Sequence, residues 1–243
     1  MKENSVSRRL QMIASEVPEG ARIADIGTDH GYLPLYLIKE GKVQWALASD
    51  VNQGPLNSAI AKIKENGLQQ CIEARRGSGL SVIKQEDQID TVIIAGMGGP
   101  LITTILSEGV FALEHVKRLI LQPNVHALVI RKWLARNDWE LIEEHIVEEE
   151  GRIYEVLVAE PGNPSHPYDS LPFAKEAGFL FGPFLIRKQS QAFIKKWERE
   201  KELWQQITTE LEKASGKKDN RAKKKELEEN IKLVKEVLQY GSS

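Results

Sequence analysis

Two acidic turns in the first fifty residues have the residue types that bind an adenosine-bearing cofactor. A mostly apolar segment over 22–26 leads into acid-x-Gly-x-acid-x-Gly spacing at Asp25, Gly27, Asp29 and Gly31, and a second apolar segment ends in Asp50. Glycines let the backbone approach a ligand closely, and an acid ending the second strand can accept hydrogen bonds from both ribose hydroxyls. The spacing therefore predicts Gly27 and Gly31 beside the cofactor and Asp50 on its ribose.

The charge of the first turn favours a cationic cofactor. A dinucleotide site would show G-x-G-x-x-G, which places a pyrophosphate on the amino end of a helix. Here Asp29 stands where a second glycine would be expected, and its carboxylate would repel a pyrophosphate but attract a sulfonium. We expect Asp25 to hold the methionyl amino group, directly or through water. S-adenosylmethionine is thus the predicted cofactor, and an NAD oxidoreductase is disfavoured.

Hydrophobic patterning predicts an α/β fold. Apolar segments alternate with amphipathic helical patterns from residue 21 to 160, which is typical of a parallel sheet with crossover helices. The last two segments are separated only by residues 148–152, too few for a parallel crossover, and should form an antiparallel hairpin. Such a Rossmann-like, mostly parallel seven-stranded sheet is that of class I methyltransferases. The predicted strands are 22–26, 44–50, 71–75, 91–95, 118–121, 140–147 and 154–159.

Further turns follow the predicted strands. In an open α/β sheet, ligands bind beyond the carboxyl ends of the strands. Val51 follows the second strand and is expected to pack on the adenine face. Gly77 and Ser78 follow the third and offer a backbone amide and a hydroxyl to the adenine edge, while Gly96 and Met97 follow the fourth. Four turns in this order predict one cofactor site.

The turn after the fourth strand bears on which atom is methylated. Enzymes that methylate exocyclic amines commonly carry Asp/Asn-Pro-Pro-aromatic here, whereas residues 95–99 read Ala-Gly-Met-Gly-Gly. Adenine N1 can attack a sulfonium methyl directly, and its product is cationic. A carboxylate that accepts a hydrogen bond from the adjacent amino group would then stabilise the transition state most. Asp29 is the candidate catalytic residue; the alternative, a helix cap, stays open.

These motifs together resemble a known family. Residues 25–34, 49–51, 76–80, 95–99 and 121–124 are similar to the bacterial tRNA adenine-22 N1-methyltransferases, and the similarity extends over essentially the whole chain. The resemblance implies methyl transfer from S-adenosylmethionine to N1 of adenosine 22 in the D arm of tRNA, which leaves S-adenosylhomocysteine. It also implies a coiled-coil-like carboxyl domain that engages tRNA. Ser78 stands where many methyltransferases have an acid, which leaves that contact open.

An RNA substrate adds a second set of candidate residues. N1 lies on the Watson–Crick edge, so the base must leave its pair or stack before it reacts. His30, Tyr32 and Met97 are candidates to line its pocket, with packing or cofactor contact as the alternative. Gln122 and Asn124 offer amides on the same rim. Contacts to the RNA backbone are expected from Arg8, Arg9, Arg131, Lys132 and the basic carboxyl-terminal helices.

The carboxyl-terminal region is predicted to form a separate domain. Residues 1–165 should form the cofactor-binding domain and residues 166–243 a helical hairpin resembling an antiparallel coiled coil. Its apolar residues recur at four-three spacing in a helix over 184–213 and again after a linker over 216–220. Residues 179–243 have a net charge of +5, against −7 for residues 1–178. A polyanionic partner would explain this asymmetry, and a solvated helix surface is the alternative.

Composition excludes several classes of protein. No apolar run reaches the length of a membrane span, and the first nine residues lack a signal-peptide core, so we expect a cytoplasmic protein without a membrane partner. One cysteine excludes an internal disulfide and a multi-cysteine zinc site. The other histidines lack metal-ligand spacing, and no metal is expected: His115, His126, His145 and His166.

Three functional alternatives stay open at this stage. The chain could methylate another nucleobase or a protein, or it could be a non-catalytic RNA-binding or assembly protein that retains a cofactor fold. We expect a monomer, although helices with an apolar seam can also pair between chains to form a dimer.

Overall fold

The chain divides into two compact units. The computed structural model describes residues 6–213 and 218–241, and the units are Met1–Ser170 and Leu171–Ser243. The sequence places the boundary after residue 165 instead. The difference arises because the short helix His166–Asp169 packs against the strand Trp139–Glu149 and buries Tyr168.

The first unit is built on the predicted sheet. Neighbouring strands follow the order third, second, first, fourth, fifth, seventh, sixth. The first five pair in parallel, and the seventh is antiparallel to both of its neighbours, which confirms the predicted fold class and reversed pair. The strands are β1 (Ala21–Ile26), β2 (Val43–Asp50), β3 (Ile72–Arg76), β4 (Thr91–Gly98), β5 (Arg118–Val125), β6 (Trp139–Glu149) and β7 (Arg152–Pro161).

Helices connect most of the parallel strands and cover the sheet, and two 3-10 turns (Gly79–Val82 and Gln85–Asp87) join β3 to β4. The side chain of Ser7 accepts a hydrogen bond from the Leu10 amide and caps the first helix, and Pro100 lies in the first turn of the fourth, where its missing N–H costs nothing. The helices of this unit are α1 (Arg8–Ser15), α2 (Tyr32–Lys39), α3 (Gln53–Glu65), α4 (Gly99–Glu108), α5 (Ala127–Leu134) and α6 (His166–Asp169).

The central strands have continuous apolar cores because helices cover both faces of a parallel sheet. Ile23, Ile93 and Ile120 occupy β1, β4 and β5 and are fully buried. Strands β4 and β5 run past their predicted ends, to Gly98 and Val125, with register shifts between them near Met97. The segments predicted as turns after these strands are therefore paired backbone.

Arg131 is inside the first unit, so its predicted contact with RNA is wrong. Its side chain is fully buried, and its Nε and Nη2 atoms donate to Glu144 at 2.7 Å and to Glu155 at 2.6 Å. Burial alone would lower the pKa of the guanidinium, but the two carboxylate charges outweigh it and raise that pKa. The cluster ties α5 to β6 and β7, whose strands supply the carboxylates.

The second unit contains the predicted helical hairpin, with a break that the sequence analysis missed. The predicted helix over 184–213 is interrupted because Gln189 adopts a left-handed backbone (φ 42°) and donates through its side chain to the Val237 carbonyl at 2.6 Å. Of the predicted linker, 216 and 217 lie outside the described residues, and 218–220 are helical. The helices are α7 (Lys175–Phe181), α8 (Pro183–Lys188), α9 (Gln191–Lys213) and α10 (Lys218–Tyr240).

The seam of the hairpin is aromatic on one side. Phe193 and Trp197 of α9 are buried, and the Trp197 ring meets Phe181 edge-to-face with 4.4 Å between centroids. On α10, Val234 and Val237 are fully buried. Trp197 therefore packs the hairpin. Over the described residues, none of the helices is both long and apolar enough to cross a membrane.

Removing the Arg131 guanidinium should destabilise the first unit strongly. The substitution Arg131→Met leaves two buried carboxylates without their cation, and we expect it to lower the free energy of unfolding by about 3–5 kcal/mol. Urea unfolding measures the change. The matched control is Arg136→Met at an exposed position, for which we expect a change within about 0.5 kcal/mol. Equal effects of both substitutions would contradict the cluster's role.

Candidate active site

Backbone hydrogen bonds join the carboxyl ends of the first three strands. The amides of Gly27 and Thr28 both donate to the Ser49 carbonyl at 2.8 Å, and the Gly77 amide donates to the Asp50 carbonyl at 3.2 Å. The turn after β1 is thereby fixed to the end of β2, and the turn after β3 to the same place. Three of the predicted cofactor turns thus meet at one edge of the sheet.

The turn after β1 also contacts β4. Gly27 has a φ of +75°, and a Cβ atom there would lie 2.1 Å from the Met97 Cε atom. Only glycine suits this conformation and this contact. Met97 therefore lies directly on the acidic turn, which brings the fourth predicted segment to the others.

The carboxyl of Asp25 is the most perturbed group at this edge. It is 5% exposed, and burial raises its pKa to about 6, with the charges of Asp29 and Asp50 adding to the rise and the Thr28 hydroxyl opposing it. That hydroxyl is itself buried and has no partner at normal hydrogen-bond geometry within the described residues. A cationic donor group would relieve the carboxyl and offer the hydroxyl a partner. These residues therefore fit the ammonium of S-adenosylmethionine.

The residues predicted to hold the adenosine part lie at the ends of β2 and β3. Asp50 is half-buried, and its Oδ1 atom accepts from the Asn52 amide at 2.6 Å, which orients the carboxylate. Val51 is 50% exposed, and Ser78 is exposed. An oriented carboxylate beside an open apolar side chain suits a ribose and an adenine ring.

Asp29 does not cap the helix that follows it. The helix α2 begins after Gly31, whose left-handed backbone forms the amino cap without a side-chain hydrogen bond. The Asp29 carboxylate is 80% exposed and lies 3.4 Å from the Nε2 atom of His30. The alternative of a helix cap is therefore wrong, and the carboxylate is available to a ligand.

Two rings and a lysine lie beside this carboxylate. His30 and Tyr32 have ring centroids 5.9 Å apart, and the Tyr32 side chain is 46% exposed. The Lys62 ammonium of α3 lies 3.5 Å from the Tyr32 ring centroid, a cation–π contact. Sequence reasoning missed Lys62, because helical spacing within α3 does not reveal which residue of α2 it faces.

Gln122 is buried, so its predicted place on the rim is wrong. Its Oε1 atom accepts from the Arg9 guanidinium at 2.6 Å and from the Gly96 amide at 3.1 Å. Because β5 continues to Val125, Gln122 is a strand residue that faces inward. Asn124 is exposed, but its amide donates to the Gly96 carbonyl at 2.7 Å.

Only some of the basic side chains predicted to bind phosphate are exposed. Arg9 is half-buried and bound to Gln122, whereas Arg8 is exposed and Lys132 is half-buried. In the hairpin, Lys224 lies 2.8 Å from Glu212 and 3.5 Å from Glu228. Part of the basic tail thus has acidic neighbours, as the alternative of a solvated helix surface expects.

The family match covers most of the chain. Residues 23–236 match the family model "tRNA (adenine(22)-N(1))-methyltransferase", TrmK. The chain belongs to this family. The tRNA (adenine(22)-N(1))-methyltransferase of Bacillus subtilis (strain 168) is 44% identical over 99% of this chain and 100% of its own length.

Solved structures of family members have the same fold. The crystal structure of the B. subtilis M1A22 tRNA methyltransferase TrmK has a TM-score of 0.92 at 44% identity and covers 97% of this chain and 100% of its own. Streptococcus pneumoniae Sp1610, a putative tRNA (m1A22) methyltransferase in complex with S-adenosyl-L-methionine, has a TM-score of 0.82 at 37% identity, covering 96% and 100%. The predicted family resemblance is thus confirmed.

Cofactor binding should depend on pH through Asp25. With a pKa of about 6, this carboxyl is only about one-tenth ionised at pH 5, so we expect S-adenosylmethionine to bind about tenfold more weakly there than at pH 7.5. Calorimetric titration measures the dissociation constant. The substitution Asp25→Asn should weaken binding at pH 7.5 and flatten this pH dependence.

The stability of the ligand-free protein should fall with rising pH through Asp25, whereas cofactor affinity rises. Between about pH 4 and about pH 6 the unfolded chain ionises this carboxyl before the native protein does, so the contribution of Asp25 to stability falls as pH rises. Parallel pH curves for the wild type and Asp25→Asn, in binding and in unfolding, would contradict the assignment.

Proposed function

We propose that this protein transfers a methyl group from S-adenosylmethionine to N1 of adenosine 22 in tRNA. The observation that carries the proposal is the continuity of the match: 44% identity to the B. subtilis enzyme extends over 99% of the chain and so includes both units. The acidic, glycine-lined edge of the sheet supports it independently, since its chemistry suits a cationic donor. When bound, S-adenosylmethionine supplies an electrophilic methyl group.

Side chains at three strand ends would hold the cofactor. Asp25 binds its ammonium, Asp50 accepts hydrogen bonds from its ribose hydroxyls, and Val51 packs on its adenine. The Gly77 amide donates to the Asp50 carbonyl and is therefore not the amide that would bind the adenine edge. Gly77 would instead position the adenine side of the site through the backbone of the turn. Ser78 is exposed beside it and offers a hydroxyl.

Asp29 would stabilise the charge that develops on the substrate base. The N1 lone pair of adenine is free near neutral pH and needs no general base. As N1 becomes alkylated, the ring gains positive charge, and its amino group becomes a stronger hydrogen-bond donor. A carboxylate that accepts this bond favours the transition state over the reactants. Asp29 is exposed and is not used as a helix cap, so it is free to do this.

The RNA contacts and the assembly state belong to the proposal as well. Arg8, Lys132 and the basic residues of the hairpin would bind tRNA phosphates, while His30 and Tyr32 would contact the extruded base. We propose that the sheet unit holds the cofactor and that the hairpin unit adds affinity for tRNA. A monomer in the cytoplasm, without a metal, stays a prediction.

Mapping the modified position tests the activity. Unmodified tRNA with adenosine at position 22 is incubated with the protein and S-adenosylmethionine, and reverse transcription locates N1-methyladenosine as a stop. We expect a stop at position 22 and none in a matched tRNA with guanosine there. A stop at another position would favour a different nucleobase. Cofactor binding without methylation of any tRNA would favour the non-catalytic alternative.

Neutralising Asp29 should reduce turnover selectively. We expect Asp29→Asn to lower kcat by about 100-fold, because a preorganised hydrogen-bond partner of the developing charge is weakened. The affinity for S-adenosylmethionine should fall much less than kcat, and the thermal midpoint should stay close to that of the wild type. Glu40→Gln, an exposed carboxylate at the other end of α2, is the matched control and should keep full activity. A loss of kcat in both variants would count against Asp29.

A further inference from the structure

Two side chains bind the backbone N–H and C=O of one residue, Gly96, next to the methyl-transfer edge. The Gly96 amide donates to the Gln122 Oε1 atom at 3.1 Å, and the Gly96 carbonyl accepts from the Asn124 Nδ2 atom at 2.7 Å. Gly96 has a φ of +77°, a conformation that other residues rarely adopt. The path of β4 just before Met97 is therefore set by these two amide side chains.

Gln122 is in turn held by Arg9. Its Oε1 atom accepts from the Arg9 Nη1 atom at 2.6 Å, and its Nε2 atom donates to the Pro123 carbonyl at 2.8 Å. Because both its oxygen and its nitrogen are hydrogen-bonded, the Gln122 side-chain amide is held in one orientation. A hydrogen bond from a charged donor is also stronger than one between neutral groups.

The Arg9 guanidinium is itself fixed from several sides. It lies over the Tyr154 ring, with 5.1 Å from its central carbon to the centroid, and a Cβ atom on Gly96 would lie 3.6 Å from its Nη1 atom. Its helix, α1, is anchored by the Ser7 cap and by Ile13, which is fully buried. Arg9 therefore reaches Gly96 from a rigid helix near the amino end of the chain.

We infer that Arg9 is a positioning residue for methyl transfer: it acts through Gln122 on the backbone of Gly96 and does not contact the RNA backbone. This inference rests on the proposed function. Met97 follows Gly96 directly and lies on Gly27 of the acidic turn, so a change at Gly96 alters the surface that the cofactor and the base share. A misplacement of about 1 Å at such a surface costs about 100-fold in rate.

A double-mutant cycle tests whether Arg9 acts through Gln122. We expect Arg9→Met and Gln122→Met each to lower kcat by about 10- to 100-fold, and the double variant to be no slower than the worse single variant, because both remove one shared restraint. Affinities for S-adenosylmethionine and for tRNA should change much less than kcat, since on this inference neither side chain contacts a ligand directly. Arg9→Lys retains the charge and should recover part of the rate.

The same cycle can overturn the inference. If Arg9 binds a phosphate, Arg9→Met will weaken tRNA binding, and its effect on kcat will add to that of Gln122→Met. The dependence of tRNA affinity on salt concentration will also become less steep, by the slope that one phosphate contact contributes. Any of these results excludes action through Gln122. The matched control is Arg118→Met: Arg118 is a half-buried arginine that binds Glu160 and the Glu16 carbonyl from the first residue of β5. It should not change kcat.

Hydrogen exchange of the Gly96 amide gives a readout that needs no activity. In Arg9→Met the Gln122 side chain loses its restraint, and we expect the Gly96 amide to exchange at least about tenfold faster than in the wild type. Arg118→Met is the control for a general loss of stability, and the two variants are compared under conditions that give them the same thermal midpoint. Unchanged exchange would overturn the inference. If the wild type fails to methylate adenosine 22, the proposed function fails, while the exchange experiment still decides whether Arg9 restrains Gly96.

Discussion

The buried carboxyl of Asp25 is the constraint around which the candidate site is built. β1 lies between β2 and β4, so a carboxyl near its end is enclosed by neighbouring strands and is 5% exposed. Ionising it there costs free energy, and the charges of Asp29 and Asp50 increase that cost. A bound cation removes the cost. The sheet thus creates a site that favours a positively charged ligand. A pyrophosphate at the same place would be repelled.

The acids at this edge differ in environment, and this difference divides their roles. Asp25 is enclosed by the sheet and is suited to a permanent contact with the cofactor. Asp50 is half-buried and oriented by the Asn52 amide, as a ligand for hydroxyls should be. Asp29 is 80% exposed and so remains accessible to a substrate. Burial, and not residue type, therefore separates the binding carboxylates from the candidate catalytic one.

The fold could be predicted because its signals are local. Apolar runs, glycine turns and the short connection over 148–152 determine which strands exist and that the last two are antiparallel. The positions of the acids at strand ends follow from the same local patterns. The break at Gln189 could not be predicted, because it depends on a hydrogen bond to Val237 far along the chain. The end of β5 was misplaced because Pro123, usually a sign of a turn, remains within a paired strand.

The basic residues show most clearly what composition cannot reveal. Arg9 and Arg131 have the same residue type as exposed Arg8, yet each binds inside the first unit, to Gln122 and to Glu144 with Glu155. The two carboxylates neutralise the Arg131 guanidinium, which therefore contributes little to the field that attracts a polyanion although it counts in the net charge. Electrostatic attraction of a polyanion therefore depends on cations that are exposed and lack acidic neighbours, and the net charge of a segment does not measure it.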